Sequence, residues 1–248
     1  MSQGASSKKK YTYVWVSAII LLFGIFTVVE VTKRVKDNTV VDTNRMMVGE
    51  SAMDNLAYIL NDGKKKRAPD FAFMNQDSVL VTNEDYLGKV YLVDFFFTTC
   101  PTICPVMTKN LVEIQNTFKE SEDLGIVSFT INPRYDTPTV LKKYKEKYGI
   151  TSPNWNLLTG NQEEIHKLSA EGFYILANAD KAAPGGFEHS GLFVLVDKEG
   201  YIRSRVDKNG NPLIYYRGTV TEAQSVNAQG EVQQITILKE DIKRLLEE

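Results

Sequence analysis

Apolar residues occur along the chain in blocks whose spacing predicts strands and helices in alternation. The block from Val90 to Phe97 is apolar except for Asp94, which is typical of a strand buried in the centre of a sheet. The next block, from Pro105 to Ser121, has apolar residues at helical spacing. The later blocks continue this alternation, so the chain has the pattern of βαβ units.

The full set of predicted elements gives one α/β domain. The predicted strands cover residues 71–74, 78–82, 90–97, 125–131, 155–158, 191–196, 201–206 and 213–217, and the predicted helices cover 105–121, 138–148, 162–171 and 237–246. Strands that alternate with helices and end in a hairpin and a final helix predict a thioredoxin-like architecture, in which a central sheet is flanked by helices.

A separate apolar block near the N-terminus has no charged residue from Tyr11 to Val29. At about 1.5 Å per helical residue, this length just spans a hydrocarbon core of about 30 Å. A cleaved signal peptide is the alternative, but it would have a shorter apolar core and a small-residue cleavage site, which the sequence after Phe26 lacks. We therefore expect an uncleaved transmembrane anchor. The expected organisation is a tail at 1–10, the anchor at 11–29, a tether at 30–66 and the thioredoxin-like domain at 67–248.

The charges around the predicted anchor do not fix its orientation, because both flanks are basic. The flanking residues are Lys8, Lys9 and Lys10 on one side and Lys33, Arg34 and Lys36 on the other. A short tail before the span and a large domain after it favour export of the domain. We expect a single-pass protein of the inner (cytoplasmic) membrane with the domain on the outer, periplasmic side. The tether ends in the basic run 64–67, which we interpret as solvated.

Composition narrows the range of functions. A formal net charge of -2 leaves no basic surplus to neutralise phosphates, which argues against a nucleic-acid partner. The 2 cysteines are too few for a disulfide scaffold. The sequence also has no Walker loop, no GxGxxG motif and no zinc-type cysteine and histidine quartet. Because the cysteines are close together, they indicate a working pair.

Cys100 and Cys104 follow the central strand and precede a helix, so both sulfurs are expected at a helix N-terminus. Unpaired backbone N–H groups and the helix dipole there favour thiolate over thiol. Two such thiolates can close into a disulfide or bind a soft metal ion, and the residues alone leave both open. Of the two histidines, His189 starts a strand after the loop 178–186, whereas His166 lies within a helix and is expected at the surface.

The segment from Phe97 to Pro105 resembles the F-T-x-C-P-x-x-C-P signature of the Sco family, also called SenC or PrrC-like proteins, at every fixed position. The later run 188–190 resembles the family's histidine segment. The resemblance implies a membrane-anchored thioredoxin-like protein that binds copper, as Cu(I) or Cu(II), through Cys100, Cys104 and His189. It also implies a role in assembling the binuclear copper centre of cytochrome c oxidase, with the copper-bearing oxidase subunit as partner.

The chain departs from the family pattern in three places. The family's D-P-x-R-D-T-P stretch has Asn132 and Tyr135 in place of its first aspartate and its arginine. The aspartate usually found before the histidine is Glu188, which is a milder change. Residues 218–236 match no family landmark.

Two alternatives use the same cysteines. In the first, the pair is a thiol–disulfide oxidoreductase that reduces the cysteines of the copper-site client, with another periplasmic copper chaperone or a thiol reductant as a further partner. His189 separates this alternative from copper transfer, since metal binding needs it and dithiol exchange does not. The second is a peroxiredoxin, whose motif needs threonine and proline where the chain has Phe97 and Val93, so we reject it. We do not expect a classical enzyme.

Overall fold

The computed structural model describes residues 7–36, 56–179, 184–206 and 212–248. Within these ranges, side chains are described except at residues 7–13, 30–36, 177–179, 184, 188 and 189. The chain divides into two compact units, Met1–Met47 and Val48–Glu248.

The first unit contains helix α1, Ser7–Lys36. The described side chains of α1, at 14–29, are exposed, and most of them are large and apolar. Among the described residues, no helix was found that is both long enough and apolar enough to cross a membrane. The predicted anchor at 11–29, whose first residues lie outside the described side chains, stays a prediction.

The second unit has four described helices and thirteen described strands. The helices are α2 Cys104–Thr117, α3 Pro138–Tyr148, α4 Gln162–Lys167 and α5 Ile235–Glu247. The strands are β1 Ala57–Tyr58, β2 Leu60–Asn61, β3 Lys64–Lys65, β4 Ala72–Asn75, β5 Leu80–Thr82, β6 Val90–Phe96, β7 Leu124–Thr130, β8 Trp155–Thr159, β9 Ala177–Ala179, β10 Phe187–His189, β11 Leu192–Val196, β12 Ile202–Ser204 and β13 Tyr216–Arg217.

The core of this unit is a mixed sheet in the order β1-β12-β11-β6-β7-β8-β4-β5, with β13 also paired to β11. The three central strands β6, β7 and β8 are parallel, and the flanking strands β11 and β4 are antiparallel to their neighbours. Every residue of β6 and β7 is buried, as expected for strands covered on both faces. The predicted α/β class with a central sheet flanked by helices is therefore confirmed.

Two helix ends follow their sequence signals. Asn161 caps α4, because its side-chain oxygen accepts the backbone N–H groups of Glu163 at 2.8 Å and Glu164 at 3.2 Å. Gly149 ends α3 in the left-handed conformation with φ 69°. The helix predicted at 162–171 is split, since α4 passes into a π-helical turn at Leu168–Gly172.

The folded unit begins earlier than the predicted boundary at residue 67. Strand β1 pairs with β12, and Leu56 and Ile59 join the hydrophobic core. Tyr58 of this edge strand packs its ring edge-on against that of Tyr201, with 5.8 Å between the ring centroids. The predicted tether at 30–66 is therefore wrong over its last residues. The pairing was missed because strands of two residues have no alternating pattern to detect.

The basic run 64–67 is exposed at Lys64, Lys65 and Arg67, as its interpretation as solvated expects, whereas Lys66 is half-buried. Lys65 Nζ lies 3.6 Å from the centre of the Tyr58 ring, and Lys66 Nζ lies 3.4 Å from that of Tyr174. Burial lowers the pKa of Lys66 to about 8. Arg67 donates to the Glu199 carbonyl at 2.8 Å, which attaches the start of the unit to the turn between β11 and β12.

Residues 218–236 pack onto α2 and α5. The Asn110 side chain on α2 donates to the carbonyls of Gly218 at 2.9 Å and Val220 at 3.1 Å. Lys239 on α5 bridges Glu222 at 2.6 Å and Glu113 at 2.8 Å. The segment therefore connects the helix that begins at Cys104 with the C-terminal helix.

Candidate metal site

The two cysteines lie where the central strand β6 passes into helix α2. The connecting residues 97–103, which we call the cysteine loop, begin with the buried Phe97. Cys104 is the first residue of α2, and Pro105 occupies the next position, where its missing N–H leaves no helical hydrogen bond unmade. The predicted placement of both sulfurs at a helix N-terminus is confirmed.

Both cysteines are buried thiols, with exposed fractions of 7% for Cys100 and 1% for Cys104. A hydrogen bond connects the two sulfurs, so they lie side by side. The Thr102 hydroxyl lies 3.5 Å from Cys100 Sγ. The backbone N–H of Phe97 also faces Cys104. The loop therefore brings the two sulfurs to one point, just beneath a surface formed by Thr99, Pro101 and Thr102.

Burial opposes the preference for thiolate that the helix N-terminus gives Cys104. Burial raises the pKa of Cys104 far above its ordinary value, and its contact with Cys100 raises it further. The backbone N–H of Phe97 opposes this shift but is the weaker influence. Cys104 therefore carries a proton that a metal ion or a disulfide partner must displace.

A buried carboxyl group lies in the strand that leads to the cysteines. Asp94 is 2% exposed, and burial raises its pKa to about 7. Its oxygen accepts the Ser128 hydroxyl at 2.5 Å, and Ser128 in turn accepts the Trp155 ring N–H at 3.0 Å. Its charge also contributes to the raised pKa of Cys104. The network occupies the sheet under the site.

A second buried carboxyl group contacts the cysteine loop directly. Asp136 is fully buried and accepts the backbone N–H of Thr98 at 3.1 Å. It also accepts the hydroxyls of Thr98 and Thr130. Burial raises the pKa of Asp136, while the bonds from the two threonines oppose that shift. Asp136 thus joins the loop after β7 to the loop that carries the cysteines.

The predicted third ligand, His189, is the last residue of β10, opposite Ala177 of β9. Its side chain lies outside the described residues. The segment around it, residues 185–191, contacts the cysteine loop at both ends. A Cβ on Gly185 would lie 2.8 Å from the Phe97 ring, and a Cβ on Gly191 would lie 3.2 Å from the Ile103 side chain. The fold therefore brings this histidine segment (185–191) to the cysteine loop.

Phe187 connects three parts of the site region. Its ring centroid lies 5.3 Å from that of Phe97 and 6.3 Å from that of His166. The expectation that His166 is a surface residue is wrong, because it is half-buried with Nε2 2.8 Å from the carbonyl oxygen of Ile131.

Among the side chains that the structure describes, no group of three or more His, Cys, Asp and Glu residues converges on a metal position. The set of Cys100, Cys104 and His189 stays a prediction, because the His189 side chain is not among the described ones. Sequence reasoning missed Asp136, Phe187 and the position of His166. Two signals were available for Asp136: it keeps the second aspartate of the family's D-P-x-R-D-T-P stretch, and it lies two residues before a helix-opening proline.

A family model described as SCO1/SenC matches residues 61–223. The SCO1 protein homolog of Bacillus subtilis (strain 168) is 34% identical over 159 residues, which cover 63% of this chain and 81% of that protein.

Two solved structures extend the comparison to the fold. One is of BsSco, a member of the Sco family of cytochrome c oxidase assembly proteins, in which a disulfide switch was identified; it is 30% identical, covers 72% of this chain and 92% of that chain, and has a TM-score of 0.56. The other, Bradyrhizobium japonicum ScoI with copper bound, is 21% identical, covers 72% of this chain and 99% of that chain, and has a TM-score of 0.55, which supports the fold alone.

Proposed function

The chain belongs to the SCO1/SenC family, and we propose that it is a copper-binding protein that assists assembly of the binuclear copper centre of cytochrome c oxidase. In this proposal Cys100 and Cys104 are thiolate ligands and His189 is the third ligand. The copper-bearing oxidase subunit receives the metal. BsSco, a member of the Sco family of cytochrome c oxidase assembly proteins, supports the client. The resemblance of residues 97–105 to the family's copper-binding signature supports the metal.

The single observation that carries the proposal is the pair of buried, adjacent thiols at the start of α2, with the histidine segment against the same loop. Thiolate and imidazole are ligands that suit copper, and Cu(I) in particular is soft and accepts a low coordination number. Structural zinc would need four ligands, and the 2 cysteines and 2 histidines of the chain would have to supply all of them. His166 is an unsuitable fourth ligand, because the described side chains of His166, Cys100 and Cys104 do not converge on one metal position.

The cysteine and histidine ligands suit copper by their atom types, and the protonation of the cysteines is consistent with copper binding as well. Copper supplies a positive charge that compensates the two thiolates after their protons leave. Burial disfavours that charge separation in the metal-free protein, which keeps Cys104 protonated. The chain's own part is to hold both sulfurs together, exclude water with the cysteine loop and bring the histidine segment alongside.

The second candidate is a thiol–disulfide oxidoreductase that keeps the client's cysteines reduced before metal loading. It is favoured by the hydrogen bond between the two sulfurs, because a disulfide can then form with little motion of the backbone. Cys100 is the more exposed sulfur and is therefore the one that attacks or is attacked. A thiol reductant outside the cytoplasm would be the partner in that case.

The proposal includes an anchor at 11–29 and a domain on the outer side of the inner membrane. It is supported by the exposed apolar side chains of α1, among them Trp15, Leu22 and Phe26, which need a nonaqueous environment or a partner. An impermeant thiol reagent applied to intact cells should label Cys100 of the reduced protein. Labelling only after lysis would reverse the orientation.

The experiment that tests the function is a copper titration of the reduced full chain in detergent micelles, against a competing Cu(I) chelator. We expect one copper per chain. Thiol exchange with an oxidised cysteine peptide is measured on the same preparation. Copper binding with slow exchange supports the metallochaperone, whereas rapid exchange without tight copper binding supports the oxidoreductase.

A further inference from the structure

We propose that Asp136 is a positioning residue of the metal site, whose buried carboxylate holds the cysteine loop in the shape that brings the two sulfurs together. The inference deepens the proposed function and rests on it for the copper measurement. It is carried by hydrogen bonds that reach the loop two residues before Cys100.

The carboxylate of Asp136 has three donors in two elements. Two of them, the backbone N–H and the hydroxyl of Thr98, belong to the cysteine loop, and the third is the Thr130 hydroxyl at the end of β7. Because β7 is a fully buried central strand, its end is a fixed point of the fold. The carboxylate therefore attaches the cysteine loop to the end of β7.

The start of the cysteine loop is attached to the fold at two successive residues. Phe97 is fully buried in the core, and the Cys100 N–H donates to its carbonyl at 3.2 Å, which makes a turn. The side chains of Thr99, Pro101 and Thr102 are exposed. Thr98 is thus a point where the turn before Cys100 is attached by hydrogen bonds, and Asp136 is the group that accepts them.

The position of Asp136 is set by its own loop. Its backbone N–H and that of Tyr135 both donate to the carbonyl of Asn132, at 2.9 Å and 3.0 Å. This explains why the chain can depart from the family pattern at 132 and 135. These two bonds involve only the backbone carbonyl of Asn132, and the Tyr135 side chain is exposed. The Asp136 side chain, in contrast, is buried, and both of its carboxylate oxygens accept hydrogen bonds.

A merely structural role would make any lost hydrogen bond to Asp136 equivalent. Thr98→Val and Thr130→Val each replace a hydroxyl that donates to Asp136 by a methyl of similar size. Thr130→Val also removes the acceptor of the Asn132 N–H, at 3.1 Å, so it is the more disruptive control. Only Thr98 belongs to the cysteine loop. Thr98→Ser is the conservative rescue, since it keeps the hydroxyl and the backbone N–H.

The test measures two quantities on the full chain in detergent micelles: Cu(I) affinity against a chelator, and the midpoint of the Cys100–Cys104 disulfide in a dithiothreitol redox buffer. We expect Thr98→Val to weaken copper binding by about tenfold, the lower end for an outer-shell partner, with Thr130→Val well below that loss. Loosening the loop also separates the sulfurs, so the disulfide of Thr98→Val should be easier to reduce, by about 30 mV for a tenfold change in the equilibrium.

Equal losses in the two valine variants, or no loss in Thr98→Val, would overturn the inference, as would a failure of Thr98→Ser to restore both quantities. Thermal unfolding of each variant shows that the comparison is made on folded protein. If the parent chain binds no copper, the proposed function fails, but the midpoint still tests whether Asp136 positions the sulfurs.

Discussion

The two halves of the proposed metal site are built differently. The sulfur half lies between the fully buried strand β6 and the start of α2, and Asp136 attaches its loop to β7. The histidine half lies in β10, a strand of three residues whose described partner is β9, outside the main sheet. Its described contacts with the sulfur half are the ring of Phe187 and the close approaches at Gly185 and Gly191.

This contrast separates two requirements of metal transfer. The sulfurs must meet at a fixed geometry, which a core strand and a buried carboxylate provide. The histidine must reach the metal, and it lies in a two-stranded sheet that is separate from the main sheet. We infer that the sulfur half determines whether copper binds at all, and that the histidine half determines how tightly it is held.

The largest effect should come from breaking the sulfur half. Cys104→Ser replaces a soft thiolate by a hard hydroxyl in the same buried position, so we expect stoichiometric Cu(I) binding to be abolished. The measurement is copper content after competition with a chelator, with thermal unfolding as the check on folding. One equivalent of copper retained by Cys104→Ser would show that the site lies elsewhere.

The histidine half is tested by a matched pair, because the chain has 2 histidines. His189→Ala should weaken copper binding by more than about 100-fold, the upper end for loss of an outer-shell partner, since a ligand itself is removed. His166→Ala should leave the stoichiometry at one copper per chain, because the described side chains of His166, Cys100 and Cys104 do not converge on one metal position.

The same pair of variants distinguishes the two proposed functions. The rate of thiol exchange should be equal in His189→Ala and the parent chain, since the reaction needs only the sulfurs. Equal copper affinity in His189→Ala and His166→Ala would mean that His189 is not a ligand, and the contrast between the two halves would lose its basis.

The sulfur half also contains a titrating group in its sheet, Asp94. Its pKa in the folded chain is raised to about 7 from an ordinary value of 3.8, so the folded state favours the neutral carboxyl. The resulting stability is fully present below pH 3.8 and is lost as the pH rises through about 7. At about 1.4 kcal/mol per pKa unit, the loss is at most about 4 kcal/mol.

Asp94→Asn keeps a neutral side chain at every pH and should remove this loss. The measurement is the free energy of unfolding between pH 5 and pH 8, and the quantity compared is the difference between parent and variant. Ser128→Ala removes the hydroxyl that lowers the pKa of Asp94. The pKa of Asp94 should therefore rise in this variant, and the loss of stability should occur at higher pH. A parent-minus-variant difference that does not change with pH would contradict the shifted pKa of Asp94.

The two halves also differ in how well the sequence predicts them. The run 90–97 and the Cys100 and Cys104 spacing predict a strand, a turn and a helix start, because each has a local pattern. The third ligand was named only through family resemblance, since one histidine at a strand start has no periodicity. Asp136 was missed because its partners are 38 and 6 residues away, and such a contact leaves no local signal.

The smallest effect should come from loosening the histidine half at its far end. Gly191 has φ 61°, and a Cβ there would lie 2.3 Å from Thr219 Cγ2. Gly191→Ala therefore combines a left-handed backbone, which is unfavourable by about 1–2 kcal/mol for a residue with a Cβ, with a steric clash. Thr219→Ser removes the clashing methyl, so the double variant should recover the steric part and keep only the backbone part. Thermal unfolding reports both terms, and copper affinity should fall less than in His189→Ala because the ligand itself is still present. If Gly191→Ala lost as much affinity as His189→Ala while remaining folded, the histidine half would be as dependent on a fixed geometry as the sulfur half.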